Sequence, residues 1–384
     1  MNIRPDVEAF ADELTAWRRD MHRNPELGYH ETRTSQLVAE RLESFGIEVH
    51  RGLGGTGVVG VLRGSLGDGP AIGLRADMDA LPMQEAGNPA HRSSVDGVFH
   101  GCGHDGHTTM LLGAARSLAF TRQFTGTVHF IFQPAEEGLA GARAMIEDGL
   151  FERFPCDEVY GMHNWPQLEL GTASIRPGPV MAASDKIDIE VTGRGAHAAM
   201  PHRGVDPVAV SAHIITALQT IVSRGTDPQD AAVVSITAVH TGSTYNVIPG
   251  SAKLMGTCRS FRPETRERLE AEVERVATRV AEALGASATV KFTRGYPPTV
   301  NHPAATARFA RAASSFLGAE SVIADAAPSM GGEDFAFMLE EVPGSYLWLG
   351  QGGSFDLHHP QYDFNDALLP VGASLWAELI ERID

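Results

Sequence analysis

Eight residues, HGCGHDGH at His100–His107, put three imidazoles, a thiol and a carboxylate among three glycines. Cys102 and His104 stand two apart, and Gly101, Gly103 and Gly106 admit backbone angles that turn both donors toward one point. The pattern predicts a metal loop that opens a helix. The competing chemistry is a Cys102 nucleophile activated by a nearby histidine, with Asp105 orienting that base.

Further donors fall where strands should end. FQPAEEG (Phe132–Gly138) follows an apolar run and precedes helical sequence, so Glu136 and Glu137 belong at the mouth of a sheet, where open α/β folds bind ligands. One of the pair binds metal and the other handles a proton. GMHNW (Gly161–Trp165) brings His163 to the same edge, and RADMDALP (Arg75–Pro82) brings Asp77 and Asp79, carboxylates suited to orienting histidine ligands. LHHPQYDFND (Leu357–Asp366) offers His358 and His359, one of which closes the set, while GGEDF (Gly331–Phe335) reads equally well as a helix cap.

The elements that position these residues alternate. Helical periodicity at 6–23 and 31–45 leads into apolar runs at 57–62 and 70–76, then a helix near 106–120, a strand at 126–132, a helix near 138–148 and a strand at 157–162. Such alternation predicts a mostly parallel sheet covered on both faces. Near Ala183 the texture changes: 186–193 alternates apolar and polar positions, followed by a helix at 207–223, strands at 231–239 and 252–260, a helix at 263–284 and a strand at 287–293. That β-α-β-β-α-β order is the ferredoxin-like arrangement. Alternation resumes with helices at 303–317 and 333–341, a strand at 345–349 and a helix at 367–382. The expected organisation is therefore an α/β domain, 1–185 and 298–384, interrupted by an inserted domain at 186–297 whose edges suit pairing with a second copy.

Composition narrows the function classes. With 384 residues, 43% hydrophobic and 21% charged, the chain is globular and large enough for two domains. A formal charge of -17 without any basic run excludes nucleic acid as a partner. The longest uncharged apolar stretch, 207–223, is broken by Ser211, His213, Thr216 and Gln219, so no membrane span is expected. Acids among the apolar residues of the first twenty positions argue against a secretory signal. Three widely spaced cysteines form no disulfide framework, and a cytoplasmic location follows.

The order RADMDALP, HGCGHDGH, FQPAEEG, GMHN, GRGAHAAMPH, YNVIPGSA, GTCRSF, GGEDF, LHHPQYDFND resembles the M20 metallopeptidase family across essentially the whole chain. Its cysteine-containing histidine motif resembles the amidohydrolase branch of hippurate hydrolases, N-acyl-amino-acid deacylases and auxin-conjugate hydrolases. The resemblance implies an α/β dinuclear-metal domain interrupted by a ferredoxin-like dimerisation or lid domain. It also implies Cys102 as a ligand shared by two metal ions, with His104 and His163 completing one site and Glu137 and His358 the other. Glu136 is implied as the proton-transfer residue, His197 as a donor to the oxyanion, and Asn246 and Arg259 as contacts for the substrate carboxylate. Gly101 and Gly332 depart from the usual Ala and Ser without removing a donor.

The implied activity is metal-assisted hydrolysis of a small N-acyl or N-aroyl amino acid, with manganese or zinc first and cobalt or nickel as alternatives. A homodimer through the inserted domain, or a tetramer built from it, is the implied assembly. Three other readings use the same residues: a dipeptidase, a metal-free cysteine amidase, and a metal-binding dimer without catalysis.

Overall fold

A computed structural model describes residues 3–353 and 355–383. Two compact units emerge, each with its own apolar core. The larger takes the described residues up to Val180, Thr299–Ala327 and those from Asp334 on; the smaller takes Met181–Pro298 and Pro328–Glu333.

The larger unit is built on an eight-stranded sheet. Its middle strands, Thr127–Gln133, Ala71–Asp77, Glu158–Trp165 and Gly344–Gly350, run parallel in that spatial order. Strands buried on both faces must be apolar throughout, and Gly344–Gly350 is buried at every position. Toward one edge the sheet turns antiparallel, through Gly57–Arg63 and then Glu48–Leu53. The helix His104–Thr121 packs against Leu369–Glu381 and is buried on nearly every side, which explains its lack of a polar face. Because Asp77 pairs with Gln133 in register, the parallel strands deliver their following loops to one edge.

The smaller unit is a four-stranded antiparallel sheet in which Ala183–Thr192 lies between Ser251–Ser260 and Ser287–Tyr296, with Ala232–Thr241 outermost. Along Ala183–Thr192, Ile187, Ile189 and Val191 are buried and Lys186 and Glu190 are exposed, the period-two pattern read from sequence. Helix Pro263–Ala283 starts with proline at its first position and buries Leu269, Val273, Val276, Ala277 and Ala281, a single stripe against the sheet. With helix Pro207–Ser223 it completes the ferredoxin-like order.

Several sequence expectations shift. The helix expected at 6–23 is two pieces, Pro5–Glu8 and Ala11–Arg23. That expected near 138–148 breaks into Glu136–Leu139 and Gly141–Glu147, because Ala140 takes a left-handed conformation with φ 59°. Helix 333–341 begins only at Phe335, leaving Glu333 and Asp334 in the preceding loop. Strand Glu48–Leu53 escaped sequence reading because an edge strand with irregular exposure carries no alternation.

Candidate metal centre

Gly103 makes the loop possible. It caps the helix His104–Thr121 with φ 90°, and a Cβ there would lie 2.6 Å from both the Asn164 Oδ1 and the Tyr362 hydroxyl, so a side chain is excluded twice over. Cys102 and His104 then face the ends of three parallel strands. Three donor sets converge, Cys102 with His104 and His163, Cys102 with Glu137 and His358, and His104 with Glu136 and Glu137, the ligand atoms of each lying within 4.8 Å of one another. Cys102, His104 and Glu137 thus each serve two of these three sets.

Neighbouring groups fix which imidazole nitrogen faces inward. His163 donates Nδ1–H to the Asn164 carbonyl at 2.7 Å, leaving the Nε2 lone pair 3.4 Å from the Cys102 sulfur. His104 donates Nδ1–H to Asp79 at 3.2 Å, leaving Nε2 buried, without a hydrogen-bond partner and 3.9 Å from Glu137 Oε1. His358 Nε2 reaches Glu137 Oε1 at 3.4 Å, whereas His359 turns away to stack on Phe355, with ring centroids 4.5 Å apart.

The electrostatics suit a bound cation. Burial works against charge on His104, yet Asp77 and Cys102 hold its proton affinity well above the ordinary range. Hydrogen bonds to Cys102 and Glu137 raise His358 to about 10. Burial pushes the Cys102 thiol up, reinforced by Glu137, and burial together with His107 pushes His163 well down. A thiol and carboxylates that draw protons onto imidazoles leave a concentration of negative charge that a divalent ion would neutralise, displacing those protons. Thiolate, imidazole and carboxylate at this spacing suit a transition-metal pair.

Support lies beneath. Asp77 accepts from His107 Nδ1–H at 2.6 Å and from Arg75 at 2.7 Å, and Arg75 reaches Asp334 at 3.1 Å. The Asn164 amide donates to the Tyr362 hydroxyl at 2.7 Å and to Gln351 at 3.0 Å. Asp77 and Asp79 therefore stand where the sequence put them, behind the imidazoles, while His107, Asn164 and Asp334 are supports that their motifs contain but no spacing rule singles out. Asp105 overturns one expectation: its carboxylate takes His22 Nδ1–H at 2.9 Å and lies 3.6 Å from Arg18, so it orients no base for Cys102.

The smaller unit carries the other three expected residues. His197 is exposed on the short strand pair Ala196–His197 and Val247–Ile248, and the Asn246 carbonyl accepts from Ala198 N at 3.0 Å, making the two neighbours. Arg259, half-buried on Ser251–Ser260, donates to the Cys258 carbonyl at 2.9 Å and to the Thr257 hydroxyl.

The pattern of the peptidase family M20/M25/M40 matches residues 73–382 of this chain, a span that takes in every donor described above. The chain belongs to this family. Among M20 relatives it is similar to the hippurate hydrolase of Campylobacter jejuni, 42% identical over 99% of this chain and 98% of that one. It is also similar to the N-acetylcysteine deacetylase of Bacillus subtilis, 41% identical over 97% of each. The solved structure of the YXEP protein of Bacillus subtilis, described as a dinuclear metal binding peptidase from the M20 family, superposes with a TM-score of 0.85 at 38% identity, covering 97% of this chain and 98% of that one.

In this M20 chain the metal loop is anchored from below by a buried ion network. Arg18 donates to Asp366 at 2.6 Å, and His22 lies between Asp105 and Glu85. Burial disfavours the His22 charge, but Asp105 and Glu85 outweigh it and raise the imidazole to about 9. A group raised in the folded state stabilises fully below its unfolded value of about 6.5. Its contribution fades as pH rises through the folded value, here about 9. The urea midpoint of His22→Gln should therefore fall furthest below wild type near pH 6 and approach it by pH 9–10. A gap that does not change with pH would mean that folding leaves the proton affinity of His22 unaltered.

Proposed function

We propose that this M20 chain hydrolyses the amide bond of N-acyl amino acids, N-acetyl or N-aroyl as in hippurate, releasing a carboxylic acid and a free amino acid. Cys102, His104 and His163 would hold one divalent ion, Cys102, Glu137 and His358 the other, and Glu136 would carry the proton. The observation that carries this reading is the buried His104 Nε2, without a hydrogen-bond partner, set beside the Cys102 thiol and the Glu137 carboxylate. Such an orphan costs about 1–3 kcal/mol unless something answers it. Two bound divalent ions supply an acidified water and an electrophile for the scissile carbonyl.

The side chains do the rest. Glu136, buried beside Glu137, accepts the attacking water's proton and returns it to the leaving amine. His197 donates to the oxyanion, and Asn246 and Arg259 meet the substrate's free carboxylate, for which a guanidinium fork is suited. Manganese or zinc is the expected metal, cobalt or nickel an alternative. The outermost strand Ala232–Thr241, with Val239 exposed on it, supports pairing through the smaller unit into a homodimer, or a tetramer built from it. Free thiols at Cys102, Cys156 and Cys258 support a reducing, cytoplasmic setting, and among the described residues no helix is long and apolar enough to cross a membrane.

The test is amine release from hippurate, N-acetyl-methionine, N-acetyldiaminopimelate, indole-acetyl-alanine and a dipeptide, before and after chelation. Release should vanish with chelator and return with manganese or zinc. Dipeptide cleavage alone would move the chain to the dipeptidase reading, and chelator-resistant release blocked by a thiol reagent would move it to a cysteine amidase.

A further inference from the structure

The turn that carries Glu136 and Glu137 is an unusual piece of backbone. Ala135 and Ala140, both with a Cβ, adopt left-handed φ values of 54° and 59° at its two ends. Each costs roughly 1–2 kcal/mol relative to right-handed backbone, so the surroundings must hold the turn in place. Three buried carboxylates take its amides: Glu31 Oε1 accepts from Ala135 N at 2.8 Å, Asp79 Oδ2 from Glu137 N at 2.9 Å and Asp334 Oδ2 from Ala142 N at 2.9 Å.

Two of the three belong to motifs around the metal centre. Glu31 does not: it comes from the segment leading into the helix Thr32–Ser44, its exposure is 0%, and its second oxygen takes the Thr56 hydroxyl at 2.6 Å. The same segment makes two more contacts with the turn. Tyr29 donates its hydroxyl to the Leu139 carbonyl at 3.0 Å, and Gly28 lies so close that a Cβ would come within 3.0 Å of the Ala135 Cα and 2.9 Å of Leu139.

We infer that Gly28–Glu31 is a clasp that sets the position of Glu136, and that Glu31 is a positioning residue for proton transfer. The amides divide the labour. Glu31 fixes the residue just before Glu136, whereas Asp79 fixes Glu137 and, through His104, the metal donors. Loosening the clasp should therefore move the proton carrier while leaving the donors assembled. The inference rests on the proposed role of Glu136, but its structural half has a readout independent of activity.

The experiment compares wild type with Glu31→Gln, Glu31→Leu and Gly28→Ala for hippurate turnover, metal content and amide hydrogen exchange at Ala135 in the metal-stripped protein. Glutamine keeps an oxygen for the Ala135 amide, so its kcat should stay within a few-fold. Leucine removes the acceptor and should lower kcat by about 10²-fold with KM little changed, the size expected when a reacting group is misplaced by an ångström. Metal content should hold near wild type, and Ala135 exchange should quicken by about tenfold or more, as loss of a hydrogen bond to a carboxylate predicts. Gly28→Ala pushes on the turn with Glu31 intact and should lower kcat in the same way, which decides the matter should Glu31→Leu fold poorly. Unchanged Ala135 exchange in Glu31→Leu overturns the clasp. Quickened exchange with undiminished kcat overturns Glu31 as a positioning residue, and inactivity of wild type on every substrate, with exchange behaving as expected, counts against the catalytic reading instead.

Discussion

Glu136→Gln should lose turnover by about 10²–10⁴-fold, the range over which a positioned general base accelerates proton transfer, while binding its metal as wild type does. Glutamine matches glutamate in volume, so the buried site keeps its packing, and the residue's neighbours, His104 and Glu137, keep their supports in Asp79. What changes is chemistry: a neutral amide oxygen does not take a proton from water near neutral pH. Kinetics on hippurate with metal analysis of the same preparation checks this. Activity within tenfold of wild type would remove Glu136 from the reaction.

The second large effect is expected at Cys102. Its sulfur belongs to two of the donor sets, so Cys102→Ala strips one ligand from each at once. Metal affinity should fall by more than the 10–100-fold typical of losing a mere supporting contact, and activity with it. Cys102→Ser should be intermediate, since a hydroxyl is a poorer ligand but occupies the position. Titration of the chelator-treated variants with manganese or zinc, read by bound metal, distinguishes the outcomes. Full metal binding in an inactive Cys102→Ala protein would identify the sulfur as a nucleophile.

Much of this arrangement was legible in the residues. Cys102, His104, Glu137 and His163 each sit in a short motif at a strand end or helix start, where local pattern fixes location and the α/β rule fixes the edge, whereas His358 sits in the loop after Gly344–Gly350. The choice of His358 over His359 came from the motif's place in the family resemblance and not from residue type or spacing; in the structure it goes with a φ of 62° at His358 and with Phe355 stacking against its neighbour. Nor was the break at Ala140, since alanine in helical surroundings gives no sign of a left-handed turn. Glu31 stands in no motif and Asp105 was read as orienting a base for Cys102; their partners, Ala135 and His22, lie 104 and 83 positions away, beyond the reach of any local pattern.

The strand Gly344–Gly350 lies inside the large sheet, beside Glu158–Trp165, although it is the last of the long strands to be made. Leu369–Glu381, later still, covers the helix that begins with His104. A ribosome that has released the first 180 residues has thus made most donors of the candidate metal centre but left a raw seam along the sheet. The antiparallel insert, with its core complete in one continuous stretch, is free to fold first. The larger unit must wait for its final segment, and during that wait the open flank of Glu158–Trp165 is the place where a chaperone would be needed or a foreign strand would do harm.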